Sequence, residues 1–334
     1  MQKIMQTKKA FLTIIIFFIC TVFLAAEPAD KRGHNIFFGI STGFLFGHSE
    51  EIVFVDNRSP DKWSLLTWEI KPLFYIGLDL RYTRYENNFG FFANVSGRFG
   101  LPGKTGLHEN RDWFEMSGNI AVPTYPNLTH YSVHDNHTKT AILLDADIGV
   151  SFRINDRLRL KPFISYSMMY FSWEGVGGTF FYPDWHGGHF TRPSWEIGIT
   201  YRQLWHIISP GLSLYGELNG LFSMELFFRA SPLVWLFAVD EHLLREGYDV
   251  PYLFYDRAFG GIMLEPGLQF SFKPNPFFAL SFFYSFRNIS EMRGLGVSFT
   301  RDYRRGTHIA GGAYSVHTFG IAARARYDFS RRLR

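Results

Sequence analysis

Cysteine is nearly absent from this 334-residue sequence, because its single copy, Cys20, lies in an apolar run near the start. If that run is removed, the rest of the chain has neither disulfide bonds nor thiolate-metal sites. Beyond Leu24 the sequence also lacks the roughly 20 consecutive apolar residues that a membrane-spanning helix needs. It has no HExxH zinc-binding motif either, which removes sequence support for metalloprotease chemistry.

The start of the chain has the features of a secretory signal peptide. Three lysines precede the apolar residues 11–24, and the small residues Ala25 and Ala26 follow them. This order of charged, apolar and small residues is typical of a signal peptide, and the apolar run is too short for a membrane anchor. We therefore predict a signal peptide over residues 1–26, with cleavage near Ala26.

The sequence has little excess of either charge sign. Its 34 Lys and Arg residues and 30 Asp and Glu residues give a formal net charge of +4. Three of the lysines belong to the predicted signal peptide, which leaves 31 basic and 30 acidic residues in the mature chain. A net charge of about +1 gives no reason to expect a nucleic-acid partner.

Aromatic residues make up 19% of the sequence, yet its mean hydropathy is only −0.05. Apolar residues alternate with polar ones over residues 68–82, 264–273 and 319–329, a period of two that indicates strands. In an outer-membrane barrel the apolar parity meets lipid and the charged parity faces the lumen. We predict that Trp68 and Ile70 belong to the lipid-facing parity, and we prefer a membrane barrel to a soluble β-protein.

Short and long polar segments alternate along the chain. Tight turns are predicted near residues 86–88, 155–157, 209–211 and 274–276. Longer loops are predicted near residues 55–62, 101–137, 175–190, 232–254 and 297–310. Short periplasmic turns and long external loops are typical of bacterial barrels. The predicted fold class is all-β, a single-domain, ten-stranded antiparallel transmembrane β-barrel over residues 27–329, with long extracellular loops and a basic overhang at 330–334.

Asp240 and His242 are the first candidates for chemistry. Because they are two residues apart, their side chains point to the same face of an extended strand. A carboxylate beside an imidazole fixes its tautomer and raises its basicity, which produces a general base for activating water. The pattern is short, and a solvated Asp–His pair in a loop has the same sequence. Further acidic and histidine candidates fall at residues 109–115 and 132–137.

Five short segments occur in an informative order. They are Gly47-His48-Ser49-Glu50-Glu51 with Trp68, Arg111-Asp112-Trp113, Ser132-x-His134, Gly177-Gly178-Thr179-Phe180-Phe181-Tyr182 and Asp240-Glu241-His242. Together they resemble the omptins, a family of ten-stranded outer-membrane proteases of bacteria that includes plasminogen activators. The resemblance covers nearly the whole mature chain.

The resemblance implies a catalytic site between two pairs of side chains. In the family an Asp–His pair activates a water that attacks the scissile amide directly, and two aspartates help to hold that water. Here Asp240 would orient His242 as the general base, and Asp112 would be one of the paired aspartates. Ser132 and His134 would have a supporting polar role.

The resemblance also implies a preference for basic residues at the cleavage site, with Glu51 as an acid of the substrate pocket. A glutamate can attract Arg or Lys because it supplies both charge and hydrogen-bond acceptors. The chemistry of the family needs neither a metal nor a cofactor.

The sequence departs from the family pattern at several site positions. Asn110 stands where the family has its first paired aspartate, and its amide can bind water but carries no charge. Glu109 or Glu115 could substitute after a shift in register. Ala238 and His130 stand at two positions where the family has acids of the substrate pocket, so we expect weaker discrimination.

The family also requires lipopolysaccharide, held partly by a Tyr-x-Glu-x-Arg pattern that here reads Tyr166-x-Met168-x-Tyr170. Without the guanidinium fork we expect no strong phosphate site on this strand. His134 and His137, at i and i+3, offer a metal site as an alternative. Because no further ligands are evident, we predict none.

We therefore predict a bacterial outer-membrane endopeptidase whose active site faces the outside. Its partners would be peptide or protein substrates, host proteins among them, and outer-membrane lipids. The main alternative is a weakly active or inactive omptin-like barrel that serves as an adhesin or binding protein. A deacylase or phospholipase would need a hydroxyl nucleophile at the lipid-facing rim, and a serine-protease triad would need a nucleophile elbow and an oxyanion hole. The sequence marks none of these.

Overall fold

The computed structural model describes residues 32–56, 61–86, 88–113, 128–183, 188–243, 252–299 and 305–328. The predicted signal peptide and the basic overhang lie outside these ranges. The strands are β1 (Arg32–Phe54), β2 (Lys62–Glu86), β3 (Phe89–Gly100), β4 (Gly103–Asp112), β5 (His130–Arg153), β6 (Leu158–Tyr182), β7 (Gly188–Glu217), β8 (Phe222–Ser231), β9 (Leu233–His242), β10 (Tyr252–Phe259), β11 (Met263–Asn275), β12 (Phe278–Phe299) and β13 (Arg305–Asp328). Within the described ranges, no helix is long and apolar enough to cross a membrane.

The strand segments form a closed ring of ten antiparallel strands. Three strands are each interrupted once, so that β3 and β4, β8 and β9, and β10 and β11 are successive parts of one strand. The ring closes because β1 pairs with β2 on one side and with β13 on the other. Closure leaves no unpaired edge, which is the condition for strands to cross a bilayer. The predicted all-β, ten-stranded barrel is confirmed.

One predicted turn was wrong. Ser209, Pro210 and Gly211 lie inside β7, which remains paired with β6 beyond them as far as Gly216. The chain turns instead at residues 218–221, where the Asn219 side chain accepts hydrogen bonds from the backbone of the following residues. The long ladder between two strands therefore overrides the local Pro-Gly turn signal.

The long loops are shorter than predicted because the strands continue beyond the lipid-facing band. The segment 101–137 includes all of β4 and the start of β5, and β9 extends as far as His242. The site motifs therefore lie on paired strands, which hold side chains more rigidly than loops do.

The two faces of β2 exchange roles part of the way along the strand. Phe74 and Leu80 are exposed on the outside, whereas Trp68 and Ile70 are fully buried and face the lumen. The prediction that these two residues meet lipid was therefore wrong. Opposite one residue of β1, between Leu45 and Gly47, β2 has two residues, and this bulge reverses the alternation.

The lumen is filled in layers. Along β2 the inward residues pass from Ser64 through Trp68 to Asp79. At the level of the lipid-facing band, charged side chains pair, with Arg287 donating to Asp145 at 2.9 Å and to Glu265 at 2.8 Å. Above them lies an aromatic layer that consists of Trp68, Phe171, Trp173, Tyr201, Trp205 and Tyr314. The candidate site lies on the loop side of this layer.

Candidate active site

The Asp240–His242 pair forms at the end of β9. The alternation of the strand places both side chains on the inner side, and His242 Nε2 lies 2.6 Å from Asp240 Oδ2. Asp240 is only 2% exposed, whereas the His242 side chain remains accessible from the mouth. Phe254 of β10 packs edge-on against the imidazole at 5.5 Å. With Nε2–H directed at the carboxylate, Nδ1 is left as the proton acceptor.

Asn110 and Asp112 form the second polar pair, on the inner face of β4. Asn110 Nδ2 donates to Asp112 Oδ2 at 3.2 Å. Ser64, opposite Asp112 on β2, donates to Asp112 Oδ1 at 2.6 Å. Both oxygens of the Asp112 carboxylate therefore accept a hydrogen bond from a neutral group.

A chain of hydrogen bonds continues from Asn110 across the neighbouring strands. Asn110 Nδ2 donates to the Tyr182 hydroxyl at 3.4 Å, which donates to Ser132 Oγ at 3.4 Å. His134 Nε2 lies 3.0 Å from Ser132 Oγ, and His134 Nδ1 donates to the Gly177 carbonyl at 2.7 Å. Because Nδ1 carries the proton, Ser132 donates to Nε2, and every link in the chain has a consistent direction.

His108 is a site residue that the sequence analysis missed. Its ring is 1% exposed and is stacked on Trp68 at 3.8 Å and beside His134 at 5.2 Å. Burial holds the pKa of His108 well below its usual range and lowers the pKa of His134 to about 4. Both imidazoles are therefore neutral at neutral pH.

The two polar pairs face a common space. His108 and His134 both lie within electrostatic reach of His242, so β9 faces β4 and β5 across the mouth. Because Asn110 and Asp112 share the inner face of β4 with His108, they face the same space as His242.

Glu51 lies on the inner face of β1, at the level of this space, and is 2% exposed. The Tyr201 hydroxyl lies close enough to Glu51, Asp240 and Asp256 for their charges to act on it. Three carboxylates therefore surround the loop side of the aromatic layer.

The strand geometry excludes two alternatives that the sequence offered, Glu109 as a replacement carboxylate and a metal site at His134 and His137. Glu109 points away from Asn110 and forms an ion pair with Arg111, so it does not replace the missing aspartate; Glu115 lies outside the described residues. His134 and His137 occupy opposite faces of β5 and cannot share a metal ion.

Contrary to the expectation from the sequence, one G-x-S-x-G pattern is present, at Gly39-Ile40-Ser41-Thr42-Gly43, but it lies within β1. Ser41 is therefore not at the strand-to-helix turn that makes a nucleophile elbow.

Tyr166, the residue of the family's lipopolysaccharide pattern that this chain keeps, lies on β6. Its hydroxyl is 2.8 Å from His206 Nδ1 on the outer face of the barrel.

The missed residues could have been found partly from alternation. His108 shares the parity of Asn110 and Asp112, so an inward β4 predicts it. Ser64 and Tyr182 join the site only through the pairing of their strands, which the sequence analysis did not establish.

The barrel is similar to a solved outer-membrane protease. Against the crystal structure of outer membrane protease OmpT from Escherichia coli, the TM-score is 0.74 at 19% identity, with 88% of this chain and 97% of that chain covered. The toluene transporters TodX from P. putida and TbuX from Ralstonia pickettii also match, at 13% and 10% identity. Their TM-scores are 0.32 and 0.36, with 91% and 90% of this chain and 93% and 90% of theirs covered. No curated protein matches the sequence.

The fold is thus that of an OmpT-like barrel. The model of the Omptin family matches residues 32–327, and the chain belongs to this family. The resemblance inferred from the five short segments is confirmed. Family and fold together indicate a bacterial outer-membrane protein of a protease-type family.

Proposed function

We propose that this protein is an outer-membrane endopeptidase that hydrolyses peptide bonds near basic residues, with its site at the extracellular mouth. The observation that carries the proposal is the 2.6 Å contact between Asp240 and His242 on the inner face of the barrel. The carboxylate orients the ring, and Nδ1 takes the proton from a water as that water attacks the amide. Asp112 and Asn110, across the same space, hold the water and stabilise developing charge.

Asn110 is compatible with activity for a physical reason. Two aspartates in contact cannot both ionise freely, so one of them tends to keep a proton. A protonated aspartate donates one hydrogen bond to its partner, and Asn110 donates the same kind of bond to Asp112. Asn110 therefore reproduces the hydrogen bonding of a singly protonated pair, although it fixes the charge at one carboxylate.

The substrates in this proposal are peptides or surface-accessible proteins, because the site opens at the loop end of the barrel. Glu51 supplies the negative charge that attracts Arg or Lys. Lipopolysaccharide phosphate is not expected to be needed at β6, because Met168 and Tyr170 offer no cationic group. Activity in vesicles of neutral phospholipid, without added lipopolysaccharide, would support this.

The deciding experiment is hydrolysis of a quenched peptide that contains an Arg-Arg pair, by refolded protein. His242→Ala removes the general base and should reduce kcat/KM by about 10² to 10⁴. His34→Ala, which changes an exposed histidine at the other end of the barrel, is the matched control and should leave the rate unchanged. Equal activity in wild type and His242→Ala would contradict the mechanism.

The Asn110→Asp variant tests whether the site is active with Asn110 in place or has been inactivated by it. We expect the wild type to cleave and the variant to show an additional ionisation in its pH–rate profile, because paired carboxylates titrate in two steps. Silence in the wild type with activity in Asn110→Asp would instead indicate a decayed site and favour the adhesin or binding role.

A further inference from the structure

Asp256 is a buried carboxylate that the proposed mechanism does not use. It lies on the inner face of β10, is 3% exposed, and is paired in register with Ala238 of β9. Ala238 precedes Asp240 by two residues on the same face, so Asp256 is the diagonal cross-strand neighbour of Asp240.

His308 of β13 reaches Asp256 across the intervening strand. Gly296 of β12 is paired with both residues, and a Cβ at Gly296 would lie 2.0 Å from His308 Nε2. The glycine therefore provides the room in which the imidazole crosses β12. Asp256 Oδ1 lies 3.3 Å from His308 Nε2, but neither atom has a hydrogen bond with good geometry to any described residue. The Asp256 carboxylate therefore lies beside His308 and keeps hydrogen-bond acceptor capacity for a ligand.

The surroundings of Asp256 are suited to a cation. Its charge acts on the Tyr201 hydroxyl together with the charges of Glu51 and Asp240, so three buried carboxylates share one region. Within the described part of the chain, the ion-pair partners of Asp240 and Asp256 are histidines, which are weaker cations than Arg or Lys. Buried carboxylates are costly unless they are paired, and an incoming basic side chain would supply the missing charge.

We propose that Asp256 is a specificity-determining residue that binds, together with Glu51, the basic side chain of the substrate residue preceding the scissile bond. The resemblance implies an acid at position 238, where this chain has Ala238. Asp256, which is paired with Ala238 on the adjacent strand and lies beside His308, would supply that acid instead. This inference rests on the proposed peptidase function and names the group that recognises the substrate.

The test compares two quenched peptides that differ only in arginine or its neutral analogue citrulline before the cleaved bond. Asp256→Asn should reduce kcat/KM for the arginine peptide by about 10- to 100-fold and for the citrulline peptide by less than about 3-fold, since only the first loses a charged hydrogen bond. Asp135→Asn, at an exposed aspartate that pairs with Lys104 on the outer face, is the control and should leave both rates unchanged.

A cross-strand exchange distinguishes recognition from loss of structure. Asp256→Ala combined with Ala238→Asp returns the acid to β9 and should recover most of the arginine preference lost in Asp256→Ala alone. If Asp256→Asn keeps the full preference for the arginine peptide, the inference is overturned. The proposed function would still stand in that case, provided that His242→Ala loses cleavage.

Binding measurements decide the inference even if no peptide is cleaved. In the His242→Ala background, the arginine peptide should bind at least about 10-fold more tightly than the citrulline peptide, and Asp256→Asn should abolish the difference. Equal binding of the two peptides before the Asp256 change would overturn the inference. Absence of turnover in the wild type would, by contrast, count against the proposed function alone.

Discussion

His134 shows how burial of one side chain affects both stability and chemistry. Its pKa is lowered to about 4 by burial, whereas a histidine in the unfolded chain titrates near 6.5. Between these values the unfolded state binds a proton that the folded state excludes. The free energy of unfolding therefore falls as the pH decreases from about 6.5 to about 4, by up to about 3 kcal/mol from this residue.

We predict that His134→Gln flattens this pH dependence without removing it, because His108 is buried beside it and contributes in the same direction. The measurement is urea unfolding in detergent micelles at a series of pH values, for the wild type and the variant. His34→Gln, at an exposed histidine, should keep the wild-type slope. Parallel curves for the wild type and His134→Gln would show that His134 is not the group responsible.

At the scale of single residues, strand alternation correctly placed the candidate side chains Asp240 and His242 on one face. Asn110 and Asp112, also two positions apart, lie together for the same reason, although only the family resemblance had paired them. Contacts between strands were not predictable in this way. Tyr182 joins the hydrogen-bond chain only because β6 is paired with β5 in one particular register.

At the scale of strands, the bulge of β6 at Gly177 and Gly178 shapes one side of the site. Gly178 has a φ of +122°, and a Cβ there would lie 2.4 Å from the Val133 carbonyl and 2.8 Å from His134 Nδ1. The glycine is thus required both by its conformation and by the close approach of the imidazole.

Gly178→Ala should therefore displace His134 and break its hydrogen bond to the Gly177 carbonyl while the barrel still folds. We expect kcat/KM to fall by about 10- to 100-fold, since small displacements near a site have effects of this size. Gly220→Ala is the matched control, because it lies in a turn where a Cβ would meet no atom within 4 Å. An unchanged rate in Gly178→Ala would show that the position of His134 does not matter for catalysis.

Strand irregularities also mark the limit of prediction for the fold. Alternation correctly identified the outward residues of β11 and β13, but it failed at Trp68 because a bulge reverses the two faces of β2. Sequence periodicity continues smoothly through that point, and only the pairing with β1 shows the extra residue. The Pro-Gly turn signal failed for a related reason, since the pairing of β6 with β7 extends past it.

For the whole molecule, the groups proposed for catalysis and the charged groups expected to stabilise the barrel occupy different layers of the lumen. The candidate site lies on the loop side of the aromatic layer, and the paired charges lie on the other side. Arg287 is central to those charges, because it donates to both Asp145 and Glu265. Arg229 also pairs with Glu265, so the network links several strands across the barrel.

Arg287→Met should destabilise the barrel by about 3–5 kcal/mol, because it removes one of the two cations, Arg287 and Arg229, that pair with both Asp145 and Glu265 in the buried lumen. Arg293→Met is the control: it removes an exposed arginine that pairs with Asp56 and Asp61, and should cost less than about 1 kcal/mol. Urea unfolding in micelles measures both. At low urea, where Arg287→Met is still folded, its peptidase activity should match the wild type, because the aromatic layer lies between the altered charges and the Asp240–His242 pair. Equal loss of stability in the two variants would mean that the lumen network does not hold the strands together.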